Sequence, residues 1–546
     1  MKSNNFFFKN ISIFFFIFYF FIGLFLVDDY GISVDEEFQR FSGFYWLNFI
    51  LEITSFDNFK IYVENKFEEI NGLSLPNPEN FKFYGVIYDL PLAFIEAILK
   101  IEEPKKYFLL RHYANFTIFF ISSIFFYLIL KNRFKNNIII FLGLLLYVSS
   151  PRIFGHSFYN NKDIVFLSLV TITFFFIFKF IEHKNLKNII IAGLFSSITC
   201  ASRIVGIFIP LFFIFYIIIL KENEKFNMIK KFKLMSLYLI TFFLFLIIFW
   251  PYLWSSPLNN FIYSLKIFSK YPEEFQMLFN DRYVNSNYLP LSYLPTWMII
   301  TTPLLSLFLF INGFINFSRR FFLRLVNIKE NFLPNDFWRS INESKDFIIF
   351  ICFLLIFFYI ILSNTDIYNG WRHLYFLHFF ITYIAIFGLY ILNIKFKKIK
   401  NFLLIPFLLI FLNFYDLIKF HPYQGSYFNQ LVLKSKNNSF EVDYWGTAGV
   451  RFLKEILSYE KNSDKINIAV ASFLPLERSI KLLDYNEARK IRIVGQDYSK
   501  AEYIFNNNIS EVNKFKNKKY EIPNNFKKIS EFYIKDFMMY EIYKKN

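Results

Sequence analysis

Asp35, Glu36 and Glu37 stand together in GISVDEEFQR, residues 31–40, just beyond the apolar run ISIFFFIFYFFIGLFLV, residues 11–27. Carboxylates at such a place offer a general base, a ligand for a cation, or a plain solvated loop. Further on, SPRIFGHSFYNNKD, residues 150–163, sets Arg152, His156, Asn160, Asn161, Lys162 and Asp163 between two apolar runs. Arg203 falls at a junction of apolar runs in TCASRIVGIFIP, and NTDIYNGWRHLYF, residues 364–376, supplies Asp366, Arg372 and His373. Each residue alone has an ordinary reading. Arg152, Lys162 and Arg203 can snorkel to an interface, the two histidines can be hydrogen-bonded core groups, and Asp163 can cap the helix it opens.

The elements that must carry these groups are membrane spans. The chain has 546 residues, 55% of them hydrophobic and 23% aromatic, with 83 Phe and a mean hydropathy of +0.35. Soluble domains are less apolar than this, and several runs reach the roughly 18–20 residues that cross a bilayer as a helix. The net charge of +17 does not mark a nucleic-acid binder, because the cations cluster in short loops between apolar runs, as cytoplasmic loops do. Cys200 and Cys352 lie within apolar runs and form no disulfide or metal pattern. The first run is too long for a signal peptide and lacks a cleavage site, so it reads as a retained span.

Spans are expected at 6–27, 108–130, 138–150, 164–181, 189–202, 204–220, 234–254, 297–315, 347–363, 373–393 and 402–418, about eleven in all. One orientation puts Lys131, Arg133 and Lys135; Lys184 and Lys187; Lys230, Lys231 and Lys233; Arg319, Arg320 and Arg324; and Lys395, Lys397, Lys398 and Lys400 inside. The N-terminus is then cytoplasmic, and residues 28–106 form a large exterior loop. Within it, FYGVIYDLPLAFIEAIL, residues 83–99, is expected as a helix in the interface plane. Residues 1–418 thus make a polytopic α-helical membrane domain, and 419–546 a small exterior α/β domain. INIAVAS, RKIRIVGQD, AEYIFNN and EFYIKDFMMYEIY read as strands there, GVRFLKEILSYE and LERSIKLLD as helices. That domain has no phosphate loop or catalytic triad motif.

With this topology, acids and bases from at least four separate segments all fall on the exterior side. Ionisable groups near membrane depth face cavities and pair with one another. The set suits glycosyl transfer from a lipid-phosphate sugar: a carboxylate takes the acceptor hydroxyl's proton, and cations or a metal stabilise the leaving phosphate. A donor with a lipid tail must approach sideways from the bilayer, which explains an acid placed just outside the first span.

The exterior Asp35-Glu36 pair resembles the first-loop acidic motif of C-type polyprenyl-phosphate-sugar glycosyltransferases. The likeness is to bacterial members related to family 39, the protein O-mannosyltransferases, and to lipid A aminoarabinose transferases. SPRIFGHSFYNNKD, PYLWSSP, NGWRHLYF, HPYQGSYFNQLV and DYWGTAG look like segments of such proteins. The resemblance implies a bacterial inner-membrane enzyme acting on its exterior face, with Asp35 as base, Glu36 supporting it and Asp163 as a second acid. It also implies Arg152, His156, Lys162, Arg203, Arg372 and His373 as donor-phosphate contacts, and a divalent metal held by Asp163 and Glu36 as one option. Some relatives carry a second acidic pair where this loop reads NNKD, so Lys162 and the arginines are the alternative to metal. The implied partners are a polyprenyl-phosphate-linked sugar, an acceptor glycan, lipid or protein, and membrane lipids. The resemblance also implies transfer with inversion at the anomeric carbon. The rival readings are a polytopic transporter, a glycan polymerase or ligase, and a sugar-binding or assembly protein without turnover. A transporter would show internal repeats and charges at mid-span. Here no repeat is seen and most charges sit at span ends.

Overall fold

Hydrocarbon offers the backbone no hydrogen-bond partner, so apolar runs in a bilayer close their own ladders as helices. In the computed structural model, every run expected to span is helical. The structure describes residues 2–546 except 55–56, 74, 221–226, 270–273, 327–336, 364, 433–438, 462–463 and 510–518. Among the described residues, six helices are long and apolar enough to cross a membrane: Ile11–Asp29, Pro104–Arg133, Asp163–Glu182, Met228–Phe249, Ile341–Leu362 and Leu377–Lys395. Asn137–Val148 and Pro151–Tyr159, bent by 59° to one another, make a seventh if counted as one span. The expected count of about eleven included further runs that are helical but shorter, such as Leu186–Ser202 and Ile204–Ile219. The run at 297–315 is interrupted: Pro303 separates the helices Tyr293–Thr301 and Leu304–Val326, since its ring disfavours helical geometry in the residue before it.

Small residues let two of these helices meet closely. A Cβ at Gly313 would stand 2.0 Å from the carbonyl oxygen of Ile384, and one at Gly388 2.2 Å from that of Leu309. That contact anchors Leu377–Lys395, the helix that follows Arg372. The bundle's charged ends separate into two groups. At the ends assigned to the inside by the Lys/Arg pattern, Asp346 accepts from Arg133 at 2.8 Å, Arg320 at 3.0 Å and Tyr383 at 2.8 Å, while Lys345 pairs with Glu182 at 2.6 Å. At the opposite ends lie Asp35, Asp163, Arg203 and Arg372.

The large first loop folds as the helices Glu36–Ile53, Asp57–Asn71 and Asp89–Ile98 around Phe41, Phe44, Leu47, Val63 and Ala93. Asp89–Ile98 is the helix formed within the run 83–99. It exposes Phe94, Ile95 and Ile98 and buries Asp89 and Glu96. Glu96 accepts from Arg40 at 2.6 Å and Arg111 at 2.7 Å, which ties the loop to Pro104–Arg133.

Residues 420–432 and 439–448, assigned by composition to the exterior domain, pack back against the loops: Gln424 accepts from the Tyr30 hydroxyl at 2.9 Å, and Phe440 packs edge-on against Trp297 at 5.4 Å. The α/β unit itself starts with the helix Gly449–Tyr459. Its sheet runs in the order Ile491–Ile493, Ile466–Val470, Tyr503–Asn506, Phe537–Lys545, Phe526–Ile534. The first three are parallel, and the last two join antiparallel. The sequence pattern missed one turn here: the run 531–543, read as one strand, reverses at Lys535, which adopts φ 54°. It also missed the hairpin of Gln276–Phe279 and Arg282–Asn285.

Candidate functional site

The three acids of the opening stretch go to three different parts of the chain. They occupy the start of Glu36–Ile53, where successive side chains point about 100° apart. Glu36 is fully buried, accepting from the Ser33 N–H at 2.6 Å and lying 2.9 Å from His112 Nε2. Glu37 lies between Arg478, at 2.9 Å, and Lys481. Burial pushes its carboxyl up, but those two cations outweigh it and hold it below the usual range. Asp35 accepts from Arg372 Nη1 at 2.8 Å and keeps a side chain 32% exposed. Of the three, Asp35 alone combines an active cation partner with access from solvent.

Asp163 opens the helix Asp163–Glu182 and is 2% exposed. One oxygen pairs with Arg203, at the end of Leu186–Ser202. The other accepts from Asn160 at 3.0 Å and lies 3.9 Å from the Arg372 nitrogen that contacts Asp35. Two carboxylates and two guanidiniums, from four segments, therefore form one chain of charge: Asp35, Arg372, Asp163, Arg203. The Arg372 guanidinium is flanked by the rings of Tyr368 and Trp445, each at 4.8 Å. Its Nε has no hydrogen-bond partner. Burial works against the charge on Arg372, yet Asp35 and Tyr368 prevail and raise its pKa. His373 stacks edge-on against Tyr368 at 4.5 Å. Burial, with Arg372 and Arg203 nearby, lowers its pKa well below the ordinary value, so the ring is neutral at pH 7.

A further pair borders this chain. Lys162 donates to the Gly85 carbonyl at 3.2 Å and lies 3.7 Å from Asp89, which also accepts from Asn161 at 3.2 Å. Burial raises the Asp89 carboxyl to about 6, against the pull of Lys162 and Arg111.

Next to the charges is an apolar groove of about 500 Å³. Its walls include Ile204, Phe208, Leu211, Leu355 and Ile356, and its polar end carries Arg203, Tyr368 and His373. Leu211 and Leu355 are exposed, so the groove is open along its side, where a bilayer would lie.

Arg152 and His156, expected as phosphate contacts, are not among the groove's lining residues. Arg152 donates to the Tyr427 carbonyl at 3.1 Å, with the rings of Trp297 and Phe428 at 5.4 and 5.1 Å. His156 links Tyr375, 3.1 Å from Nε2, to Asn160, 3.2 Å from Nδ1. Because the Asn160 amide donates, Nδ1 accepts and the ring proton sits on Nε2. His156 thus orients Asn160, and through it Asp163. Asp163 and Glu36 have separate partners, and among the described residues no group of three His, Cys, Asp or Glu side chains is placed to hold a metal ion. The residues present do not fit the metal site considered from sequence. Sequence reasoning did not single out Asp89 or Trp445. Asp89 was visible as an acid inside an otherwise apolar helix, and Trp445 stood in the DYWGTAG segment without a chemical motif to mark it.

Residues 107–254 match the model of the dolichyl-phosphate-mannose-protein mannosyltransferase family. The matched part of the chain carries Arg152, His156, Lys162, Asp163 and Arg203, whereas Asp35 and Arg372 lie outside it. Members of the family use lipid-linked sugars. No curated protein matches the chain. Among solved structures it is similar to the oligosaccharyltransferase of Archaeoglobus fulgidus in its apo form, with 10% identity and a TM-score of 0.43. The match covers 78% of this chain and 62% of that protein, so the chain spans less than two thirds of its length.

Proposed function

We propose that this protein transfers a sugar from a polyprenyl-phosphate donor to an acceptor hydroxyl at the exterior face of a bacterial inner membrane. The observation that carries the reading is the charge chain Asp35–Arg372–Asp163–Arg203, whose Arg203 lines a groove open to the side. The polyprenyl tail lies along Phe208, Leu211 and Leu355, and its phosphate meets Arg203 and Arg372, with neutral His373 beside them. Asp163 is held by Arg203 and Asn160 and stays fixed. The Asp35 carboxylate accepts from Arg372 and is reachable from solvent, which suits it to serve as base.

Donor binding and base activation are linked in this arrangement. The donor phosphate draws Arg372 toward itself, weakening the hydrogen bond that holds Asp35. Asp35 then takes the acceptor hydroxyl's proton as the oxygen bonds to the anomeric carbon. The bond from that carbon to the phosphate oxygen breaks, and polyprenyl phosphate leaves with the electron pair. Attack from the face opposite the leaving group inverts the anomeric carbon. The added charge on the phosphate is met by fixed guanidiniums in a site partly screened from water, where such interactions are strongest. Lys162, paired with Asp89, adds positive potential nearby, and Glu36, locked by Ser33 and His112, fixes the helix start that presents Asp35.

The test is incubation of purified protein with radiolabelled polyprenyl-phosphate sugars and a membrane extract. Label should pass to an acceptor; label remaining wholly on the donor across the available sugars would refute the reading.

A further inference from the structure

Trp445 contacts Arg372 and the residue that precedes Asp35. Its carbonyl accepts from the N–H of Val34, next in chain to Asp35, at 3.2 Å. Its ring lies 4.8 Å from the Arg372 guanidinium. The turn that presents it is tightly held: Asp443 accepts from the Thr447 N–H, the Thr447 hydroxyl and the Ala448 N–H, each at 3.0 Å. Gly31 allows the approach, since a Cβ there would stand 2.3 Å from the Thr447 carbonyl oxygen. Two residues past Asp35, on the same helix start, Glu37 is gripped by Arg478 and Lys481 from the α/β unit. All three side chains of that ion cluster are largely sheltered from solvent. The chain before Asp35 and the helix after it are therefore both fastened to the C-terminal part.

We infer that the C-terminal part of the chain positions the active site: Arg478 and Lys481 of the α/β unit clamp Glu37, and Trp445, in the segment leading into that unit, contacts Arg372 and the residue before Asp35. The inference rests on the sugar-transfer reading with Asp35 as base. Arg478 and Lys481 touch neither groove nor phosphate site. Their contribution comes through the height and angle at which Asp35 meets Arg372 and the acceptor. A carboxylate must lie within hydrogen-bond reach of the hydroxyl it deprotonates, and an error of about 1 Å in such a group lowers turnover on the order of 100-fold.

The experiment compares full-length wild type, Glu37→Lys, Arg478→Glu with Lys481→Glu, and all three substitutions combined, using the labelled-donor assay. Each reversal alone should lower kcat on the order of 100-fold while KM for the donor stays within about threefold, because groove and arginines are intact. The combined variant, with the charges exchanged, should return to within about tenfold of wild-type kcat. A Glu37→Lys enzyme with wild-type kcat would overturn the inference. So would a combined variant that melts like wild type but stays as slow as the single reversals. Trp445 supplies an independent arm: Trp445→Phe keeps an aromatic face for Arg372 and should turn over faster than Trp445→Leu, whereas equal rates would count against the contact. Failure of wild type to transfer any sugar would instead refute the functional reading, and the positioning role with it.

Discussion

Arg372 donates a 2.8 Å hydrogen bond to Asp35 across 337 residues of sequence, and the same nitrogen lies 3.9 Å from Asp163. One guanidinium thus spans a solvent-reachable carboxylate and a buried one. In the proposed reaction an incoming phosphate competes for that guanidinium, so donor binding and release of Asp35 become a single event.

Arg372→Lys keeps the charge but loses the planar, many-donor guanidinium, one nitrogen of which bonds Asp35 and lies 3.9 Å from Asp163. Donor KM should rise about tenfold or more, the equivalent of roughly 1.4 kcal/mol, with kcat falling as well. Steady-state kinetics over donor concentration check this, and a donor KM equal to wild type would remove Arg372 from the phosphate site.

The groove makes its own prediction. Leu211→Trp or Leu355→Trp places bulk where a prenyl tail would lie. Each buried methylene is worth about 0.8 kcal/mol, so loss of two raises KM for a long-chain donor on the order of tenfold. A short-chain analogue should be affected by less than about twofold. Equal effects on both donors would show that the tail lies elsewhere.

The site's carboxylates already have guanidinium partners, so transfer should persist within about twofold in EDTA. Loss of activity restored by magnesium or manganese would contradict the assignment of charge stabilisation to Arg203 and Arg372.

Asp89 gives a pH signature. Its folded pKa is raised to about 6 from an ordinary 3.8, so between those values the folded protein holds a proton that the unfolded chain has lost. The stabilisation is complete below about 4 and disappears as pH rises through about 6. In detergent, the melting temperature of wild type relative to Asp89→Asn should fall between pH 4.5 and 7. A difference that does not change with pH would contradict the shift.

The sequence made the helical membrane fold legible because hydropathy and Lys/Arg placement act over whole segments. It also pointed to Asp35, Asp163, Arg203 and Arg372 as companions, since all four lie at span ends on one side. Which charges meet was not legible. Asp35, Glu36 and Glu37 look alike in a row, and their separate destinations, Arg372, His112 and the Arg478–Lys481 pair, depend on helix phase and tertiary packing. Arg152 and His156 looked like phosphate contacts by the same positional logic, but the bend between Asn137–Val148 and Pro151–Tyr159 turns them into the packing under Trp297 and Tyr375. The change of composition after 418 gave no sign that Trp445, in the stretch assigned to the exterior domain, stands against Arg372.

The central claim is that Asp35 is the base, and Asp35→Asn tests it most directly. Asparagine keeps an oxygen for Arg372 but cannot take a proton. With labelled polyprenyl-phosphate sugar, kcat should fall by about 10²–10⁴-fold, the usual contribution of a general base, while donor binding and melting temperature stay at wild-type values. Turnover near that of wild type would contradict the account.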